Sequence, residues 1–142
     1  MKTLLITALA ITMAGLSLAQ SAPQRFDVPF AFHVGNKQLP AGDYMVQGQA
    51  NSGLIMVTAI GHGGGGAFAV GNLIENRKDL RPSKAILVFT KYGEGVYFLS
   101  QALCGNWTNG LQAPKSRAER EYVQSAAAGP VKPITVAVRA LK

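Results

Sequence analysis

A mainly β fold is what this sequence predicts: an antiparallel two-sheet β-sandwich or open barrel of about seven strands, with one short helix near the C-terminal end. Three observations carry that expectation. Lys84 to Cys104 reads KAILVFTKY, GEG, VYFLSQALC, two apolar, β-branched and aromatic runs around a glycine-bearing turn. That is the pattern of a β-hairpin, and the other strands are expected to add around it. Phe26 to Val34 alternates apolar with polar or small residues, a period of two that marks a half-buried strand. Strand-like runs then follow one another without the intervening helices that a parallel sheet would need.

The first nineteen residues stand apart from the fold. Met1-Lys2-Thr3 is a short positive start, Leu4 to Leu18 is apolar or small throughout, and Ser17-Leu18-Ala19 ends it in small residues. This is the layout of a signal peptide cleaved before Gln20. The apolar run is about fifteen residues, short of the roughly twenty that cross a bilayer. No cysteine follows at Gln20, so a lipid anchor is not expected. Residues 20–142 then form a single β-sandwich domain, with no membrane span after signal cleavage, and the expected address is exported, periplasmic or extracellular. A chain of this length buries a real core.

From Phe26 the elements follow in order. Pro29 removes a ladder donor inside the first strand, so that strand lies at an edge or is broken by a bulge. Gly35 to Gln38 is a turn. In Leu39-Pro40-Ala41-Gly42-Asp43-Tyr44 the proline fixes φ and the glycine allows a sharp turn into a strand from Tyr44 to Gln49, with Leu39 and Tyr44 plugging one end of the core. Asn51-Ser52-Gly53 turns into Leu54 to Ile60, which pairs across Gly61 to Gly66 with Ala67 to Ile74. Glu75 to Ser83 is a polar connection that Leu80 could anchor. Gly105 to Gly110 is read as a loop. Ser116 and Glu119 form a capping box for a helix over Arg117 to Gln124, its Ala118, Tyr122 and Val123 turned to the sheets. Ala126 to Pro133 is a small-residue linker. Ile134 to Leu141 is the closing strand, with Ile134, Val136 and Val138 on one face.

Function is less legible. The formal net charge is +7, or +6 once Lys2 leaves with the signal peptide, and the cations are spread along the chain. For an exported protein a basic balance points to anionic surfaces such as envelope polysaccharide or lipid, not to nucleic acid. Cys104 is the single cysteine, so no disulfide forms within the chain, and burial in or beside a strand is its expected state. The glycine loop at Gly61 to Gly66 lacks the Lys-Ser/Thr of a phosphate-binding loop and precedes a strand instead of a helix. His33 and His62 are too few to ligate a metal without acidic help, and no cofactor or metal is expected. No Gly-x-Ser-x-Gly elbow positions a serine, and no pair of the seven carboxylates is marked out by its context. Lys115, Arg117 and Arg120 could line the helix as a basic stripe, though Glu119 and Glu121 mix its charge, and a solvated face is the plainer account.

Trp107 is the most suggestive single side chain. An aromatic ring among Asn106, Thr108, Asn109 and two glycines suits a sugar, because ring faces stack on pyranosides and amides bond hydroxyls. Trp107, Asn106 and Asn109 are therefore the candidate ligand-binding residues. A tryptophan folded back to cap the sandwich accounts for the same letters.

Three stretches, FDVPFAFHVGNKQLPAGDY, LVFTKYGEGVYFLSQ and APKSRAEREY, together resemble a family of small exported β-rich proteins of acidobacteria. The resemblance covers most of the chain after residue 19. It implies export and a β-rich fold, and it carries no established activity, ligand or site residue. The expected role is a non-enzymatic binding or structural module of the cell envelope or secretome, with envelope polysaccharide or a protein as partner. A carbohydrate-binding module using Trp107 and a small hydrolase with a site near His62 are the alternatives.

Overall fold

The computed structural model describes residues 22–49, 51–61, 64–75, 85–103, 109–125 and 132–141. The signal segment, His62, Leu80, Lys84, Cys104, Asn106 and Trp107 lie outside them, as do most of the 126–133 linker and of the 75–83 connection. The described chain is mainly β in two sheets with one short helix, as the sequence predicts.

The first sheet has the order β1 (Gln24–Val28), β4 (Gly42–Gln49), β5 (Leu54–Ala59), β6 (Gly66–Val70), all antiparallel. The second runs β11 (Ile134–Arg139), β8 (Ile86–Tyr92), β9 (Val96–Leu103), β10 (Asn109–Gln112), β7 (Asn72–Glu75). In it β2 (Phe32–Val34) lies parallel to β9 through His33 and Phe98 and antiparallel to β3 (Lys37–Leu39). The free edge of β9 is thus shared, β2 taking the stretch near Phe98 and β10 that near Gln101 and Ala102.

Eleven strands among the described residues replace the expected seven, and each difference has a local cause. The run from Phe26 to Val34 is not one strand. It breaks at Pro29, and β1 and β2 enter different sheets. The alternation still sorts its side chains, for Phe26, Val28, Phe32 and Val34 are all buried and Phe30 packs against the core. The partner of β5 breaks in the same way. At Gly71 the chain leaves β6 for β7 in the other sheet, so only 66–70 belong to the expected hairpin. β3 and β10 occupy stretches read as turn and loop.

The central hairpin forms as expected. Gly93-Glu94-Gly95 connects β8 to β9, with Gly93 at φ +55°. A bulge sits between Val88 and Phe89, and Ser100 is the extra residue on β9. The Ser100 hydroxyl donates to the Val88 carbonyl at 2.9 Å across the bulge.

Between the sheets lies an aromatic chain. Tyr97 stacks on Phe30, Phe30 meets Phe89 edge-on, Phe89 meets Phe32, and Phe32 meets Tyr44 of the first sheet, the last three pairs each at 5.2 Å. Leu39 and Tyr44 are buried as expected, and the Tyr44 hydroxyl donates to the Pro40 carbonyl. The sheets also meet at a seam, where the Leu141 N–H donates to the Arg25 carbonyl at 2.8 Å.

Helix α1 (Arg117–Ser125) lies over the outer face of the second sheet. Tyr122 packs on Tyr92 and Phe98, forming a small aromatic cluster separate from the main core. One sequence expectation fails at the rim, for Val123 is exposed instead of turned inward. A nine-residue helix has room for one narrow inward stripe, and Ala118, Glu119 and Tyr122 fill it. Ile134, Val136 and Val138 alternate along β11 on one face as expected, Val136 and Val138 packed against the core and Ile134 exposed at the strand end. Among the described residues no helix is long and apolar enough to cross a membrane.

Candidate functional site

A groove of about 720 Å³ opens between β6, the β2–β3 turn and the start of α1. Four separate stretches build it. The turn contributes Gly35, Asn36 and Lys37, β6 contributes Phe68 and Val70, β9 contributes Phe98, and residues 113–120 close the far wall.

The α1 end is capped from two directions. Ser116 Oγ accepts from the Glu119 N–H at 3.1 Å, as the capping box requires. The reciprocal half of the box gives way to another bond. The Glu119 carboxylate is buried and accepts the Tyr92 hydroxyl at 2.8 Å. Burial, that hydrogen bond and the neighbouring negative charge push the Tyr92 phenol up to about 12. The second cap is Asn36, whose Oδ1 accepts from the Ala118 N–H at 3.1 Å and fastens the β2–β3 turn to the helix. The capping box was legible in sequence. Asn36 was not, because its partner lies far along the chain.

The groove is cationic on one side. Lys37, Lys115, Arg117 and Arg120 all line it, and Glu119 is the single acidic side chain among the described lining residues. That carboxylate is turned into the Tyr92 contact. Lys37 Nζ donates to the Gly66 carbonyl at 2.7 Å, Arg120 donates to the Lys115 carbonyl at 2.7 Å, and Arg117 pairs with Glu121 across one helical turn. The last pair is well exposed and holds its charges only weakly. The stripe read from sequence as a solvated helix face is exposed as expected, and it also forms one wall of a concavity.

The other wall is apolar. Phe68 and Val70 are 68% and 59% exposed, large fractions for such side chains. They alternate with the buried Ala69, so they stand on the outer face of the first sheet. Met56 lies directly across from Phe68, and Leu54 across from Val70.

His33 borders the groove, stacked on Phe98 at 4.6 Å. It alternates with the buried Phe32 and Val34 and is half-buried on the other face of β2. Its Nδ1 is buried with no hydrogen-bond partner among the described residues. Burial lowers its pKa below the usual 6.5. In the window just below 6.5 the unfolded chain then binds more protons than the folded one, so stability rises with pH. The His33 contribution is complete above that value and is lost as pH falls through it toward the folded pKa. Urea denaturation midpoints measured from pH 7.5 to 5 are expected to fall less steeply in His33→Gln than in the wild type. Equal slopes would show that His33 is as easily protonated folded as unfolded.

Of the residues singled out from sequence, Asn109 begins β10, its backbone opposite Glu75, while Asn106 and Trp107 lie outside the described residues, as does His62. Among the described residues no three His, Cys, Asp or Glu side chains gather as metal ligands. Comparison with protein-family models, with curated proteins and with solved structures finds no match to this chain.

Proposed function

We propose that this protein is an exported, non-enzymatic binding module whose ligand is an anion held in the groove between β6, the β2–β3 turn and α1. The observation that carries the proposal is the groove's charge. Four cations line it, Arg117 paired with Glu121 and the other three without a described carboxylate partner, and its single described lining carboxylate is engaged beneath the helix by Tyr92. A concave wall of one sign concentrates a ligand of the other. The titratable groups there also suit binding better than hydrolysis. Glu119 and His33 are both turned into packed contacts, so among the described residues no carboxylate and base face each other across the groove.

Lys115 makes the sharpest test, because its side chain is exposed and replacing it disturbs no core contact. Residues 20–142 titrated calorimetrically with a short oligouronate should bind at about 0.05 M salt and weaken strongly toward about 0.5 M. Lys115→Glu with Arg120→Gln is expected to weaken the low-salt affinity at least tenfold, or about 1.4 kcal/mol. Binding unchanged by the double substitution would place the anion elsewhere, with the Trp107 loop the next place to look.

A further inference from the structure

We infer that the ligand of this groove is an anionic amphiphile, a phosphate- or carboxylate-headed lipid with a single acyl chain. The inference rests on the groove being an anion site and adds a second, independent observation. The wall opposite the cations is an exposed apolar surface, and it does not stop at the groove.

From Phe68 and Val70 the outer face of the first sheet continues into Met56, 40% exposed, and on to Met45, 36% exposed. These side chains occupy the solvent face of three neighbouring strands, where an antiparallel sheet ordinarily shows polar residues. Met56 and Phe68 are direct cross-strand neighbours; on β4 Gln47 stands opposite Met56, and Met45, opposite Thr58, lies diagonally beyond it at the end of the strip. A strip of thioether and aromatic side chains is adaptable and suits a flexible alkyl chain of no fixed shape. At its mouth stand Lys115, Arg117 and Arg120. The head group would sit against these cations and the chain would lie along the strip.

An acidic peptide shares the charge but not the fit. The usual way for a peptide to bind a strand such as β6 is to add to its ladder. On the groove side that edge is already occupied. Lys37 Nζ takes the Gly66 carbonyl, and the turn at Gly35 lies against the Phe68 carbonyl, close enough that a Cβ there would stand 3.4 Å from it. What remains is cationic at one end and apolar along its length, with little backbone on offer.

The experiment compares chain lengths at a fixed head group. Residues 20–142 are titrated with ethyl phosphate and with dodecyl phosphate, the latter kept below its micelle-forming concentration. Each fully buried methylene is worth roughly fourfold in affinity, so even partial burial along the strip should make dodecyl phosphate about 100-fold the tighter ligand. Phe68→Ser with Val70→Ser should abolish most of that gain, and Met56→Gln, on the strip but outside the groove, should reduce it and leave ethyl phosphate binding intact, since its side chain is exposed. Lys115→Glu with Arg120→Gln should weaken both ligands.

Equal affinity for the two phosphates would overturn the amphiphile while leaving the anion site standing. Binding of neither would overturn both. Dodecyl maltoside binding as tightly as dodecyl phosphate would remove the head group's part. An acidic hexapeptide that binds tighter than dodecyl phosphate and competes with it would replace the lipid with a peptide.

Discussion

Gly53→Ala is expected to destabilise the protein by about 3 kcal/mol or more. Two costs coincide at this position. Gly53 sits at φ +67° in the turn before β5, a left-handed conformation that costs an alanine roughly 1–2 kcal/mol. A Cβ there would also stand 2.1 Å from the Gly71 carbonyl oxygen, far inside contact distance. The obstructing atom is backbone, so no side chain can swing aside. Gly71 is itself confined, because a Cβ on it would lie 2.5 Å from the Gln112 carbonyl oxygen. The Gly71 N–H donates to the Gly53 carbonyl at 2.7 Å, which locks the two glycines together where the chain passes from one sheet to the other. Urea denaturation of Gly53→Ala, Gly71→Ala and the double variant measures this. The double variant should lose less than the sum, since either substitution alone forces the same junction apart. A loss below about 1 kcal/mol in Gly53→Ala would mean that this turn relaxes freely and that the junction is not rigid.

Phe32→Ala is the second large effect, about 3–5 kcal/mol. Phe32 is fully buried and stands edge-on to Phe89 in its own sheet and to Tyr44 in the other. Removing the ring deletes two aromatic contacts and opens a cavity where the layers meet. Strands β2 and β4 are held by their own ladders, so neither can collapse into the space. Phe32→Leu, which keeps most of the volume but offers no ring edge, should lose clearly less. Chemical denaturation of the pair separates volume from ring geometry, and equal losses would show that the volume leucine keeps contributes nothing and that the ring contacts carry the whole effect.

The strongest sequence patterns were those that a single stretch of chain can state by itself. The central hairpin, the Ser116 cap, the Leu39–Tyr44 plug and the alternation of Phe26 to Val34 all lie in one short run each, and each orders its residues as expected. What escaped depends on neighbours far along the chain. Nothing in Pro29 or Gly71 says that the interruption sends the next residues to another sheet. Lys37 and Gln38 of β3 are exposed and polar, and the four residues of β10 are too few to show a period. The groove was invisible for the same reason, since its walls come from four stretches and only the fold brings Lys115 opposite Phe68. Met45 and Met56 each look like an ordinary lapse in an alternating strand, and they form a strip only when the strands are laid side by side.

The seam between Arg25 and Leu141 has a consequence for how the chain reaches this state. The first and last described strands share a boundary, so the two sheets join there only after nearly all of the chain is in place. Such long-range closure is slow, on the order of milliseconds to seconds for β topologies of this kind. Until it happens β1 and β11 both present bare edges, and an unfinished molecule can pair with its neighbour as readily as with itself. Crowded, incomplete chains are therefore at greatest risk of aggregation before the final strand docks, and a truncation that removes β11 would leave them in that condition permanently.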